Sequence, residues 1–303
     1  MQILQLQSTQ FARLALALLF FLTAGIGDAA VSVIDDEGSV IELQQPATRI
    51  ISLAPSLTEL LFAAGAGSRI VGVVDFSDFP PEAQSIQIVG RHDLLDMERI
   101  LQLQPDLIVA WQSGNPRASV ARLRELGFKI YVAEPKRLES IPSHLERLGT
   151  LTGTSTDGNR EAANFRATLA ALSSRYQEAA PVSVFYQVWD MPLITAGGDE
   201  LINDIITLCG GRNIFADITL VAPKVSVEAV LARNPSAIIA SGMDIERPEW
   251  LDDWKLWPSI TAIKHGNLFF VPPDLLQRHT PRALLGAQML CEQVAQARVT
   301  LKD

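Results

Sequence analysis

Residues 96–111 read DMERILQLQPDLIVAW, and residues 226–242 read SVEAVLARNPSAIIASG. In each, a glutamate stands seven positions before a proline: Glu98 before Pro105, Glu228 before Pro235. Each proline is followed by a short apolar run, 107–110 in the first and 238–240 in the second. A helix that stops at proline and feeds a buried strand is one step of an α/β alternation. Its recurrence 130 residues later predicts two similar α/β halves.

The flanks agree. In the first half, strands are expected at 49–53, 69–74, 107–110 and 129–132. Helices are expected from the capping-box sequence Ser56-Leu57-Thr58-Glu59 to Gly65, over 97–103, and over 120–126. The second half opens with VSVFYQV at 182–188. It continues with a helix closing on Gly210-Gly211, a helix over 228–233, strands at 237–240 and 267–271, and a final helix over 281–300. Strands alternating with helices imply mainly parallel sheet with helical crossovers. Between the halves, 159–180 holds neither proline nor glycine, and Phe165, Leu169, Leu172 and Tyr176 recur at helical spacing. A helix over 159–178 would be a stiff rod about 30 Å long. The fold class expected is therefore two α/β lobes joined by one rigid helix, with a ligand cleft between them. The division is 31–154, a connecting segment 155–181, and 182–303.

The net charge of −9 argues against nucleic acid, which demands a dense basic surface. The apolar run 14–26 after Arg13 is too short to span a bilayer comfortably. Together with the small residues near 27–29, it reads as an export signal covering 1–29. Export puts Cys209 and Cys291 in an oxidising compartment, and two cysteines permit one bridge. The competing reading is a pair of buried thiols. No G-x-S-x-G, H-E-x-x-H or phosphate loop is present, so no enzyme is expected.

The segments SLAPSLTELLFAAG (52–65), DFSDFPPEAQ (75–84), LDMERILQLQPDLIVAWQSGN (95–115), LCGGRNIFADI (208–218) and VSVEAVLARNP (225–235) resemble the periplasmic cobalamin-binding proteins of ABC importers. These are substrate-binding proteins with a helical backbone, also called class III. The resemblance covers essentially the whole mature chain. It implies that Glu98 and Glu228, one on each lobe, dock on an inner-membrane permease dimer. It implies a bridge between Cys209 and Cys291. It also implies a monomer whose cargo is a corrinoid, with cobalamin as transported ligand and no resident cofactor.

For the cleft it points to Phe76, Asp274 and Arg278; Trp111, at a strand end in the polar stretch AWQSGN, is expected there from its own position. Trp189, beside Asp190 and Pro192, is a further expected cleft aromatic. Core packing competes for Phe76, inward alternation for Tyr186, and a local ion pair for Asp274 and Arg278. The family pattern has tryptophans where this chain has His92 and Ala222-Pro223. His92 is expected in the cleft, and an imidazole there could ligate cobalt or haem iron. Trp250 and Trp254, four apart, suggest one helix face. A haem or ferric-siderophore receptor is the alternative reading, with Arg91 and Arg278 as cleft arginines. A zinc or manganese receptor ranks behind it, because His92, His144, His265 and His279 do not cluster in sequence.

Overall fold

The computed structural model describes residues 30–242 and 245–302; the expected export segment lies outside them. Strands β1 (Ile50–Ser52), β2 (Ile70–Val73), β3 (Leu107–Trp111) and β4 (Ile130–Ala133) form one parallel sheet in the order β2-β1-β3-β4. Strands β5 (Val182–Trp189), β6 (Gly211–Asn213), β7 (Ala237–Ala240) and β8 (Leu268–Phe270) form the parallel part of a second sheet, to which the short strand Ile194–Thr195 adds antiparallel beside β5. There β5 lies between β6 and β7, and β8 follows β7, all parallel. The order 2-1-3-4 is thus the same in both lobes. Ile50, Ile51, Leu107, Ile108, Ile238 and Ile239 are wholly buried. Parallel strands covered on both faces favour such unbroken apolar runs.

The opening repeat is structural to the residue. Met97–Leu103 and Val227–Arg233 are both seven-residue helices. The Asp96 carboxylate accepts from the Arg99 N–H, and the Ser226 hydroxyl from the Ala229 N–H. Each helix closes on a non-glycine residue in the left-handed region, Gln104 with φ 45° and Asn234 with φ 42°. A proline comes next in both.

The connecting helix runs Ser155–Tyr176, 22 residues and about 33 Å. It starts earlier than its sequence suggests, because Gly158 is a contact point and not a breaker. A Cβ on Gly158 would lie 2.5 Å from the Leu145 carbonyl, where the helix Ile141–Leu151 crosses. The rod buries Ala162, Phe165, Leu169, Leu172 and Tyr176. These side chains join a single apolar cluster containing Leu57 and Leu60 of the first lobe and Leu201, Ile205 and Leu290 of the second. Cys209 and Cys291 are bonded, tying the end of helix Leu201–Leu208 to helix Ala283–Thr300.

Two local expectations fail. The first helix starts at Pro55 with Ala54 as its cap and no side-chain bond, so Ser56 and Glu59 form no capping box. Pro at the first helical position already supplies the helical φ, which leaves Glu59 available elsewhere. The tryptophan segment Glu249–Leu256 is a 3-10 helix and not an α-helix. Its tighter turn places Leu251 and Trp254 together in the core, while Trp250 is only half-buried.

Candidate binding cleft

A cavity of about 340 Å³ opens between the lobes, bounded by Phe76, His92 and Trp111 on one side and Asp274, Gln277 and Arg278 on the other. Phe76 follows β2 and is 75% exposed, so it is not a core residue. Its φ is +64°. An aromatic residue there costs on the order of 1 kcal/mol, and such strain gathers at functional sites. The turn is pinned on both sides. The Asp75 N–H donates to the Gly90 carbonyl, and the buried Ser77 hydroxyl lies 3.1 Å from Thr58 Oγ1.

Trp111 is the last residue of β3. Its N–H donates to Asn115 Oδ1 at 2.6 Å. Asn115 Nδ2 in turn donates to the carbonyls of Leu53 and His92, both at 2.9 Å. This buried amide therefore holds three segments of the cleft wall, and the sequence reading missed it. Its signal was the Gly114-Asn115 pair after the tryptophan. Only glycine fits at 114, since a Cβ would fall 1.8 Å from the indole. The His92 and Trp111 rings lie 6.1 Å apart, tilted by 44°.

Asp274 and Arg278 do form the local ion pair, at 3.1 Å. Arg278 does more. Its guanidinium crosses to the first lobe, reaching Glu59 at 3.0 Å and Asp78 at 2.6 Å. Arg282 joins Glu59 at 2.6 Å and stacks over Phe79 at 3.9 Å. Burial would lower the Arg278 pKa, but Asp78 and Glu59 raise it further, so the guanidinium is held firmly charged. Arg278 is thus a strut across the cleft as well as part of its lining. No sequence feature linked Glu59 to arginines more than two hundred positions away.

Trp189 does not line this cavity. It faces a separate groove of about 490 Å³ with Gly242, Pro248 and Trp250. Its indole N–H is spent on the Met191 carbonyl at 3.1 Å. The two spaces adjoin where Gln277 donates to the Gly242 carbonyl. Tyr186 alternates inward and is fully buried. Arg91 pairs bidentately with Asp93.

Glu98 and Glu228 are both exposed in the first turns of their helices. The Glu228 carboxyl is held below its ordinary value by its own N–H and then the Ser226 hydroxyl. His144 is buried between Tyr131 and Asp36 and does not line the cleft. Among the described residues no group of three or more His, Cys, Asp or Glu is placed to hold a metal ion.

The periplasmic binding protein family profile matches residues 50–275. The chain belongs to this family. It is 38% identical over 247 residues to the vitamin B12-binding protein of Vibrio cholerae, covering 81% of this chain and 88% of that one. The crystal structure of the periplasmic vitamin B12-binding protein BtuF of Vibrio cholerae superposes with a TM-score of 0.78 at 36% identity, over 85% of this chain and 99% of that one. The haem-binding protein RhuT of Roseiflexus shares the fold, with a TM-score of 0.72 at 24% identity over 83% of this chain and 99% of that one. This periplasmic binding protein is therefore built as a ligand carrier and not as an enzyme. No helix among its described residues is long and apolar enough to cross a membrane.

Proposed function

We propose that this protein is the periplasmic corrinoid-binding component of an ABC importer, holding cobalamin between its lobes and delivering it to a permease. The observation that carries the reading is the asymmetric cleft, with Phe76, His92 and Trp111 on one wall and Asp274 and Gln277 on the other. A corrin is a wide, partly apolar plate fringed with amides. Aromatic faces suit the plate, and a carboxylate and a carboxamide suit the fringe. The 38% identity to a vitamin B12-binding protein supports the same ligand. Cobalamin is cargo, and no resident cofactor is required.

Glu98 and Glu228 are the docking points in this reading. They are equivalent in the two lobes, exposed, and carried on matched helices, which supports a symmetric pair of contacts on a two-subunit permease. Rim charges of this kind set encounter and orientation more than affinity. Trp189 and Trp250 lie beside the cleft and would meet only the outer part of a large ligand. The carrier acts as a monomer.

Thermal melting of the purified protein with cobalamin, cobinamide, hemin and a ferric siderophore tests the ligand. A tight ligand at a hundredfold excess over its Kd stabilises by about 2.7 kcal/mol. Corrinoids alone should raise the midpoint. A rise with hemin or the siderophore and none with corrinoids would refute the assignment. Glu98→Lys and Glu228→Lys should abolish corrinoid uptake by cells while leaving corrinoid binding in solution intact.

A further inference from the structure

The chain holds four histidines. Three are already committed. The His144 ring meets the Tyr131 hydroxyl at 2.8 Å and Asp36 at 3.0 Å. His265 Nδ1 meets the Thr300 carbonyl at 2.8 Å, and His279 Nε2 meets Glu200 at 3.2 Å. His92 differs. Among the described residues neither of its ring nitrogens has a hydrogen-bond partner. Its acidic neighbour Asp93 is occupied by Arg91, at 2.9 and 2.7 Å. Two histidines line the cleft, His92 and His279; with His279 Nε2 taken by Glu200, the uncommitted imidazole there is His92.

The base beneath it is fixed. His92 and Asp93 form the turn of a short hairpin, with Gly90 opposite Leu95 and Arg91 opposite Leu94. Gly90 has φ +113°, and a Cβ there would strike the Leu94 carbonyl at 2.5 Å. The His92 carbonyl is tied to Asn115, the same amide that holds Trp111. Ring and indole therefore share one anchor and sit 6.1 Å apart. A planar guest against the indole brings its centre within the neighbourhood of an available nitrogen donor.

We propose that His92 is an axial ligand to the metal of the bound corrinoid. The inference rests on the corrinoid reading above. Neutral imidazole is the commonest side-chain metal donor. The step is a substitution at cobalt(III): the cobalt–water bond breaks, an imidazole lone pair forms the cobalt–nitrogen bond, and one water leaves. Cobalt keeps its oxidation state, and no other reactant is needed. The ligand class selected is a corrinoid with an exchangeable axial position. A corrinoid whose upper position is blocked by a strong ligand would be bound by the walls alone.

The test compares aquocobalamin with cyanocobalamin on the whole mature protein, by absorption spectroscopy and calorimetry. Wild type should shift the near-ultraviolet and visible bands of aquocobalamin and leave those of cyanocobalamin in place. It should prefer aquocobalamin about tenfold or more, a difference of about 1.4 kcal/mol. At saturating protein, His92→Phe and His92→Gln should leave aquocobalamin with its free spectrum and no preference over cyanocobalamin. Binding of both corrinoids by wild type with unshifted bands would overturn the ligation while leaving the proposed function intact. Retention of the shift in both variants would overturn it too. Binding of neither corrinoid by wild type would overturn the proposed function and this inference with it.

Discussion

Glu59 accepts three hydrogen bonds from the second lobe, one from Arg278 Nη1 and two from Arg282, at 2.6 to 3.0 Å. Its side chain is 2% exposed, and the two arginines are 13% and 19% exposed. Glu59→Ala therefore strips a counter-ion from two nearly buried cations. Breaking a buried pair from one side costs about 3–5 kcal/mol. The low end applies, because Arg278 keeps Asp78 and Asp274 while Arg282 keeps only a 4.0 Å contact to Asp274 and its stacking on Phe79. A loss of about 3 kcal/mol should lower the melting midpoint by about 5 °C at this chain length. Replacing all three at once, Glu59→Leu with Arg278→Met and Arg282→Met, should recover much of the loss, since no charge is then left buried without a partner. Melting and urea unfolding of the three proteins decide the matter. A single variant within 1 °C of wild type, or a triple variant worse than the single, would refute the reasoning.

The bridge between Cys209 and Cys291 closes an 82-residue separation, so reduction or Cys291→Ala should cost about 4 kcal/mol in urea titration. Trp111→Ala removes the cleft's indole and should weaken corrinoid binding at least tenfold by calorimetry, with little change in melting of the apo protein. Burial holds His144 below its ordinary value near 6.5. Burial would raise Asp36, but hydrogen bonds from His144 and the Glu134 N–H, with the charge of Arg147, pull it well below its own ordinary value. Both groups take up protons more readily in the unfolded chain, so His144 makes stability fall as the pH drops below about 6.5, by up to about 1.4 kcal/mol per pH unit, and Asp36 adds its own loss only below about pH 4. His144→Gln should flatten the urea midpoint between pH 6.5 and 5, and an unchanged slope would dismiss the assignment.

Much of the architecture was legible because it is written locally and twice. The helix-proline-strand phrase survives as matched caps, matched left-handed ends and matched sheet positions. The rod was legible from the spacing of Phe165, Leu169, Leu172 and Tyr176, although Gly158 read as a stop when it is a crossing point. The cleft was half legible. Phe76, His92 and Trp111 stand at strand or hairpin ends, where side chains must face the loops. Asn115 and Glu59 escaped because their partners are remote in the chain, His92 and Leu53 for one, Arg278 and Arg282 for the other. Trp189 was expected in the cleft from its neighbours Asp190 and Pro192, which cannot tell which of two adjoining spaces a strand-end side chain enters. Three-residue and four-residue periods look alike over eight positions, which is why the tryptophan segment misled.

The two acidic helices have only seven residues each, too few to hold an orientation of their own in water. Their direction is inherited from the strands that follow, and those strands belong to different sheets. The span from Glu98 to Glu228 is therefore a caliper on the angle between the lobes. Any surface that gripped both carboxylates together would sense a few degrees of lobe rotation as a change in fit, and would do so without touching whatever lies in the crevice.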